Sequence, residues 1–238
     1  MNEFFDILVS FLALTSLEII LGIDNLVFLA IISQKLPVAQ RKSARRFGLT
    51  LAWVTRLLLL AFAVWLVGLT RPLFSLFDHT ISWRDLFLLF GGLFLLAKAT
   101  QEIHIEIESK DQLSKVSKRL TAFSIVVLQI VFLDLVFSLD SILTAIGLTH
   151  RFWLMAVAIT IAIIVMLFAS EPLSRFVHKH PTIKMLALSF LILIGMMLLA
   201  DGLGFHIPRG YIYLAMGFSL FVEFLNMRRR KKRLKQLK

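Results

Sequence analysis

Apolar residues in this chain gather in long runs, interrupted by short segments that hold most of the charged and turn-forming residues. A run of about 18 or more apolar residues is long enough to cross the hydrocarbon core of a bilayer as one helix. Seven such runs stand out, at about 7–33, 47–69, 84–101, 121–147, 152–172, 185–204 and 210–227, with ends fixed only to within a few residues. The segment around Leu73–Ser82 reads as a loop, and Pro72, Pro181 and Pro208 fall at or between helix ends, where proline is tolerated. The pattern predicts an all-α, polytopic membrane protein whose residues 1–238 form a single transmembrane domain. A soluble fold would have to bury several of these runs inside one small core, and that reading is rejected.

Composition agrees. Hydrophobic residues make up 58% of the chain and charged residues 17%, against about a quarter charged in a soluble domain. The mean hydropathy is +0.85. The net charge of +11 does not mark a nucleic-acid binder, because the basic residues sit between the apolar runs. Lys35, Arg41, Lys42, Arg45 and Arg46 follow the first run, Lys110, Lys115, Lys118 and Arg119 the third, and Arg175, Lys179 and Lys184 the fifth. Eight more lie in the tail 228–238, whereas the alternate connections hold only Arg71, Arg84, Arg151 and Arg209, so the ratio is twenty to four. Positive charge collects on the cytoplasmic side, which predicts the N-terminus outside, the C-terminus inside and an odd number of spans. The basic tail is expected to touch anionic headgroups. Absence of cysteine excludes disulfides, zinc–cysteine sites and thiol catalysis. Glu3 and Asp6 precede the first run with no Lys or Arg, so that run is expected to be retained as a helix rather than cleaved as a signal peptide.

Two stretches resemble each other: Glu18 to Asn25, and Asp134 to Ser141. Each reads acid, five residues, aspartate, then a small amide or hydroxyl residue. A weaker match joins Gly92–Lys98 with Gly195–Asp201. The chain therefore reads as two three-helix units, about 7–101 and 121–204, plus a seventh helix at about 210–227. Three spans per unit make the second unit enter from the opposite side, the inverted-repeat arrangement of many secondary transporters, whose sites lie at the midplane.

Glu18 and Asp24 fall near the middle of the first predicted helix, Asp134 and Asp140 near the middle of the fourth. Each ionisable group at that depth costs at least roughly 2.5–3.5 kcal/mol, so a proton, a basic partner or a bound cation must compensate. Glu18 and Asp24 differ by about 120° in direction and about 9 Å in height, too far for one straight helix to bring both onto one ion. Asn25, seven residues on, faces the same way as Glu18. Gly22 could permit local unwinding that exposes carbonyls, with Ser138 as its counterpart. Antiparallel packing of helices one and four would then gather Asp24, Asn25, Asp140 and Ser141, flanked by Glu18 and Asp134. An all-oxygen set suits magnesium, calcium or manganese, and no histidine lies in these segments to favour zinc, copper or nickel. The competing reading is structural ion pairing, for which Arg56 is the best partner, while Lys98 can snorkel to water.

At these motifs the sequence resembles the TerC family of integral membrane proteins, named for tellurium resistance, over essentially the whole chain. The shared marks are the Glu-x5-Asp-Asn of Glu18–Asn25 and the Asp-x2-Phe-Ser-x-Asp-Ser of Asp134–Ser141. The resemblance is closest to the compact branch without an added cytoplasmic domain. It implies metal export, with manganese first as cargo and no tightly bound cofactor, and it carries Glu18, Asp24, Asn25, Asp134, Asp140 and Ser141 over as the metal residues. Arg56, Lys98, Ser138, Asp201 and Glu223 are supporting candidates, and one acid is expected to exchange a proton. The expected partners are the inner-membrane lipid and metal ions.

Weaker signals have plain readings beside the functional one. Glu102, His104, Glu106, Glu108 and Asp111 could collect metal on the cytoplasmic side, yet such a run is more often a solvated helix end. Glu171 is read as interfacial; Asp201, near the outer end of its helix, could line an exit path, and Glu223 with Asn226, sharing a face near the cytoplasmic end of the last helix, could close the pathway. His178 and His180 are read as surface residues. An enzyme is not expected: Asp24 and Asp140 superficially resemble an intramembrane aspartyl protease pair, but the Gly-x-Gly-Asp signature is absent. A non-transporting partner for insertion or metallation of other proteins is the remaining alternative.

Overall fold

In the computed structural model the described residues are 2–62, 70, 72–76, 79–111, 122–148, 151–205 and 207–236, and the side chains of some helical residues within them, Asp24 and Asp140 included, lie outside that description. Helix α1 spans Asn2–Ile32 and runs into a single 3-10 turn, Ser33–Lys35. Helix α2 follows at Val38–Ala61, then strands β1 Pro72–Leu76 and β2 His79–Ser82. Five further helices follow among the described residues: α3 Trp83–Asp111, α4 Phe123–Leu148, α5 Phe152–Lys179, α6 Pro181–Gly202 and α7 Arg209–Gln236. Among the described residues six segments, on α1 and α3 to α7, are long and apolar enough to cross a membrane. The predicted span 47–69 is described only as far as Phe62, on α2.

The helices keep going where the apolar runs stop. Helix α3 extends ten residues past the predicted end at 101, α5 passes through Pro172 to Lys179, and α7 carries the basic tail as helix to Gln236. Hydropathy marks where the bilayer ends, whereas intrahelical bonds continue into water wherever good helix formers follow. The expected loop at Leu73–Ser82 is instead an antiparallel hairpin, with Phe74 opposite Ile81 and Ser75 opposite Thr80. Pairing satisfies backbone groups beside the membrane, and the β-branched and aromatic residues there favour it. Ser82 then caps α3: its hydroxyl and its amide lie 2.7 and 2.9 Å from Asp85 Oδ2, and its hydroxyl accepts from the Asp85 amide at 3.3 Å. This is the reciprocal capping arrangement that Ser-x-x-acid signals.

Between α1 and α2, Arg41 donates to the carbonyls of Leu36 and Gln34 at 2.9 and 3.0 Å, tying down the turn. Helix α3 crosses α6 at two glycines, where a Cβ on Gly92 would stand 2.8 Å from the Gly195 carbonyl and one on Gly195 3.1 Å from the Gly92 carbonyl. Lipid offers little hydrophobic force between helices, so close backbone approach at small residues carries the packing. Gly22 on α1 accommodates Met166 of α5, and Gly48 on α2 accommodates Ile130 of α4. Helix α7 packs on α6. Leu128, Phe168, Leu214 and Phe218, all strongly exposed, face outward as lipid-contacting residues would.

Two apolar layers fill the interior. One holds Leu14, Leu60, Leu139, Ile142, Leu154 and Ile159. The larger includes Leu26, Leu29, Leu49, Ile130 and Leu133. Along α1, α2 and α4 the positions between these layers are polar: Glu18, Arg56 and Asp134.

Candidate cation site

Arg56 stands at the centre, only 2% exposed, with Glu18 at 2% and Asp134 at 4%. Its Nη1 donates to Glu18 Oε2 at 2.5 Å and its Nη2 to Asp134 Oδ1 at 2.7 Å. Its Nε lies 3.1 and 3.3 Å from the two Asp134 oxygens. One guanidinium from α2 thus holds a carboxylate from α1 and another from α4. Arginine suits this, because its planar fork meets two acceptors at once and stays charged when buried.

Asp134 is further supplied. Asn25 Nδ2 donates to its Oδ1 at 3.0 Å. Ser138 Oγ donates to its backbone carbonyl at 2.5 Å and lies 3.1 Å from its Oδ2. Ser141 Oγ donates to the Ser138 carbonyl at 3.2 Å and stands beside Glu18. Asn25, seven residues after Glu18, therefore reaches Asp134, while Ser141, seven residues after Asp134, lies against Glu18. The seven-residue spacing puts each pair on one helix face.

Glu18 is less well served. Its Oε1 and the Asn25 Oδ1 are buried acceptors with no hydrogen-bond partner among the described residues. Buried acceptors left unpaired cost about 1–3 kcal/mol each, so their presence in the same cluster needs an explanation. With both carboxylates ionised the triad carries a formal charge of −1. A cluster of that formal charge with two acceptors left over can accept a hard cation or a proton.

The remaining candidates are placed as follows. Asp24 and Asp140 are helical in α1 and α4, and their side chains lie outside the described residues. Gly22 does not unwind α1, which is continuous from Asn2 to Ile32, so no free carbonyls arise there. Its smallness serves the Met166 contact instead. Lys98 is apart from the triad, 3.4 Å from Gln101 Oε1 and over the Phe94 ring at 6.0 Å. Asp201 is buried at the end of α6, and Glu223 is half-buried on α7.

The acidic run on α3 divides between pairs. Glu102 joins Lys35, Glu106 joins Lys184 at 2.5 Å, and His104 lies 3.1 Å from Glu108. Glu171 meets Lys42 at 3.4 Å, and Arg45 donates to Ser174 Oγ at 3.4 Å. No group of three or more His, Cys, Asp or Glu side chains that could hold a metal occurs among the described residues. Sequence reasoning missed Asn25 as a donor to Asp134 and Glu102 as a buried partner of Lys35, since neither interhelical contact has a one-dimensional signature.

Residues 5–236 match the family described as Integral membrane protein TerC family. UPF0053 inner membrane protein YoaE of Escherichia coli K12 is 54% identical over 215 residues, 90% of this chain and 42% of that protein. UPF0053 inner membrane protein YgdQ of the same strain is 52% identical over 219 residues, 92% of each chain. UPF0053 protein YegH, also of that strain, is 53% identical over 215 residues, covering 90% of this chain and 41% of that one. The chain thus spans about two fifths of YoaE and YegH and nearly all of YgdQ. No solved structure matches it. With six helices among the described residues able to span a bilayer, and relatives that are inner membrane proteins by name, it is a multi-pass protein of the bacterial inner membrane. The chain belongs to the integral membrane protein TerC family.

Proposed function

We propose that the protein moves a divalent cation, manganese first, across the inner membrane through the polar layer around Arg56. The observation that carries this is the pair of unfilled buried acceptors, Glu18 Oε1 and Asn25 Oδ1, in a cluster whose formal charge is −1 with both carboxylates ionised. Arg56 acts as a resident counter-ion that holds the α1, α2 and α4 side chains in place. Asp24 and Asp140, if ionised, bring the formal charge of the set to −3, and an arriving divalent cation reduces it to −1. Oxygen donors alone favour a hard ion over zinc or copper.

The cation passes by alternating access between two inverted three-helix units, α1–α3 and α4–α6, with α7 outside them, the N-terminus outside and the C-terminus inside. Three features support that arrangement. Asn25 meets Asp134 as Ser141 meets Glu18. The glycines of the weaker sequence match, Gly92 and Gly195, are each other's neighbours at the α3–α6 crossing. Lys42–Glu171, Glu106–Lys184 and Arg45–Ser174 join the two units at the end rich in basic residues. In the alternating access proposed, these links part when one unit rocks against the other.

The test is manganese flux into sealed proteoliposomes carrying the purified chain. Asp24→Asn and Asp140→Asn are expected to lose flux while remaining folded. Flux equal to wild type in both variants contradicts the reading.

A further inference from the structure

Thr15 stands three residues before Glu18 on α1, on nearly the same helix face and about 4.5 Å nearer the N-terminal end. Its Oγ1 is buried and has no hydrogen-bond partner among the described residues. That is unusual for a helical threonine, whose hydroxyl ordinarily bonds a carbonyl three or four residues back; Thr55, Thr160 and Ser189 in this protein do so, at 2.9, 2.7 and 3.0 Å. Thr15 turns its oxygen inward instead.

Its position gives that oxygen meaning. Leu14, next to it, belongs to the apolar layer with Leu60, Leu139, Ile142, Leu154 and Ile159. An ion leaving Glu18 toward the N-terminal end of α1 has to cross this layer, where the other side chains named offer only carbon. Among the described residues of α1 the unpaired buried oxygens are Thr15 Oγ1, Glu18 Oε1 and Asn25 Oδ1, on an arc of about 80° and over a rise of about 15 Å. Half the thickness of a hydrocarbon core is about 15 Å.

We propose that Thr15 is an additional cation ligand, the next station after Glu18 on the path to the N-terminal face of the membrane. This rests on the transport reading above. The hydroxyl replaces one water of the ion's shell as it passes the apolar layer, and a neutral ligand there binds weakly enough to release.

The experiment measures manganese uptake at graded concentrations in proteoliposomes with the wild-type chain, Thr15→Val and Thr15→Ser. Valine keeps the shape and removes the oxygen; serine keeps the oxygen. Thr15→Val is expected to raise KM about fivefold or more, the factor of one lost oxygen contact, and Thr15→Ser to restore it to within twofold of wild type. Wild-type KM in Thr15→Val, or equal defects in both variants, overturns the assignment and leaves the transport reading standing. No manganese uptake by the wild-type chain overturns both.

Discussion

At the scale of single residues, the central fact is that one arginine serves two acids. Removing it leaves Glu18 and Asp134 buried without their counter-charge, and breaking a buried pair in this way costs about 3–5 kcal/mol. Arg56→Leu is therefore expected to reduce the folded protein in membranes severely, read by fluorescence-detected size exclusion. Arg56→Lys keeps the charge but loses the fork that bonds both partners, and it should fall between the two. Arg56 was legible as a partner from the sequence, because an arginine nine residues into an apolar run needs a carboxylate. That it would bond α1 and α4 together was not legible, since spacing along one helix says nothing about distance to another. The common face of Glu18 and Asn25 was legible by periodicity alone, and Asn25 meeting Asp134 realises it.

At the scale of elements, glycines set how closely helices approach. A methyl group at Gly92 meets the Gly195 backbone carbonyl and the Leu199 amide, atoms that cannot step aside without moving α6. Gly92→Ala and Gly195→Ala should each lower thermal stability by about 1–3 kcal/mol, the usual cost of overpacking. Both changes separate the same two helices, so the double variant should lose less than their sum in the same melting assay. Additive losses would place the two effects in independent contacts. Most of the elements were legible from the apolar runs; their ends were not, because bilayer depth sets the run while helix propensity sets the helix. Pro172 shows this plainly, since it removes one backbone donor yet α5 continues seven residues beyond it. The start of α3 was readable in Ser82-x-x-Asp85, a capping signal at the edge of the segment expected to be a loop.

At the scale of the whole molecule, basic residues gather at one end of the helices, where Lys42 pairs with Glu171 and Lys184 with Glu106. The charge asymmetry predicts which end faces the cytoplasm. The chain lacks cysteine, so single cysteines report sidedness cleanly. A cysteine at Leu73, exposed in the hairpin, should react with an impermeant maleimide in intact spheroplasts, and one at His104, exposed on α3, only after lysis. The reverse pattern would invert the proposed orientation. Family and membrane character were readable from the two acid motifs and the apolar runs.

The claim on which the rest stands is that the unfilled oxygens beside Arg56 receive a divalent cation. Electron paramagnetic resonance of manganese with the purified chain tests it directly, because bound and free manganese give different signals. Wild-type protein should show a saturable bound component that Glu18→Gln, of the same size but without the charge, greatly weakens. Equal binding in both proteins, or none in the wild type, would contradict the account.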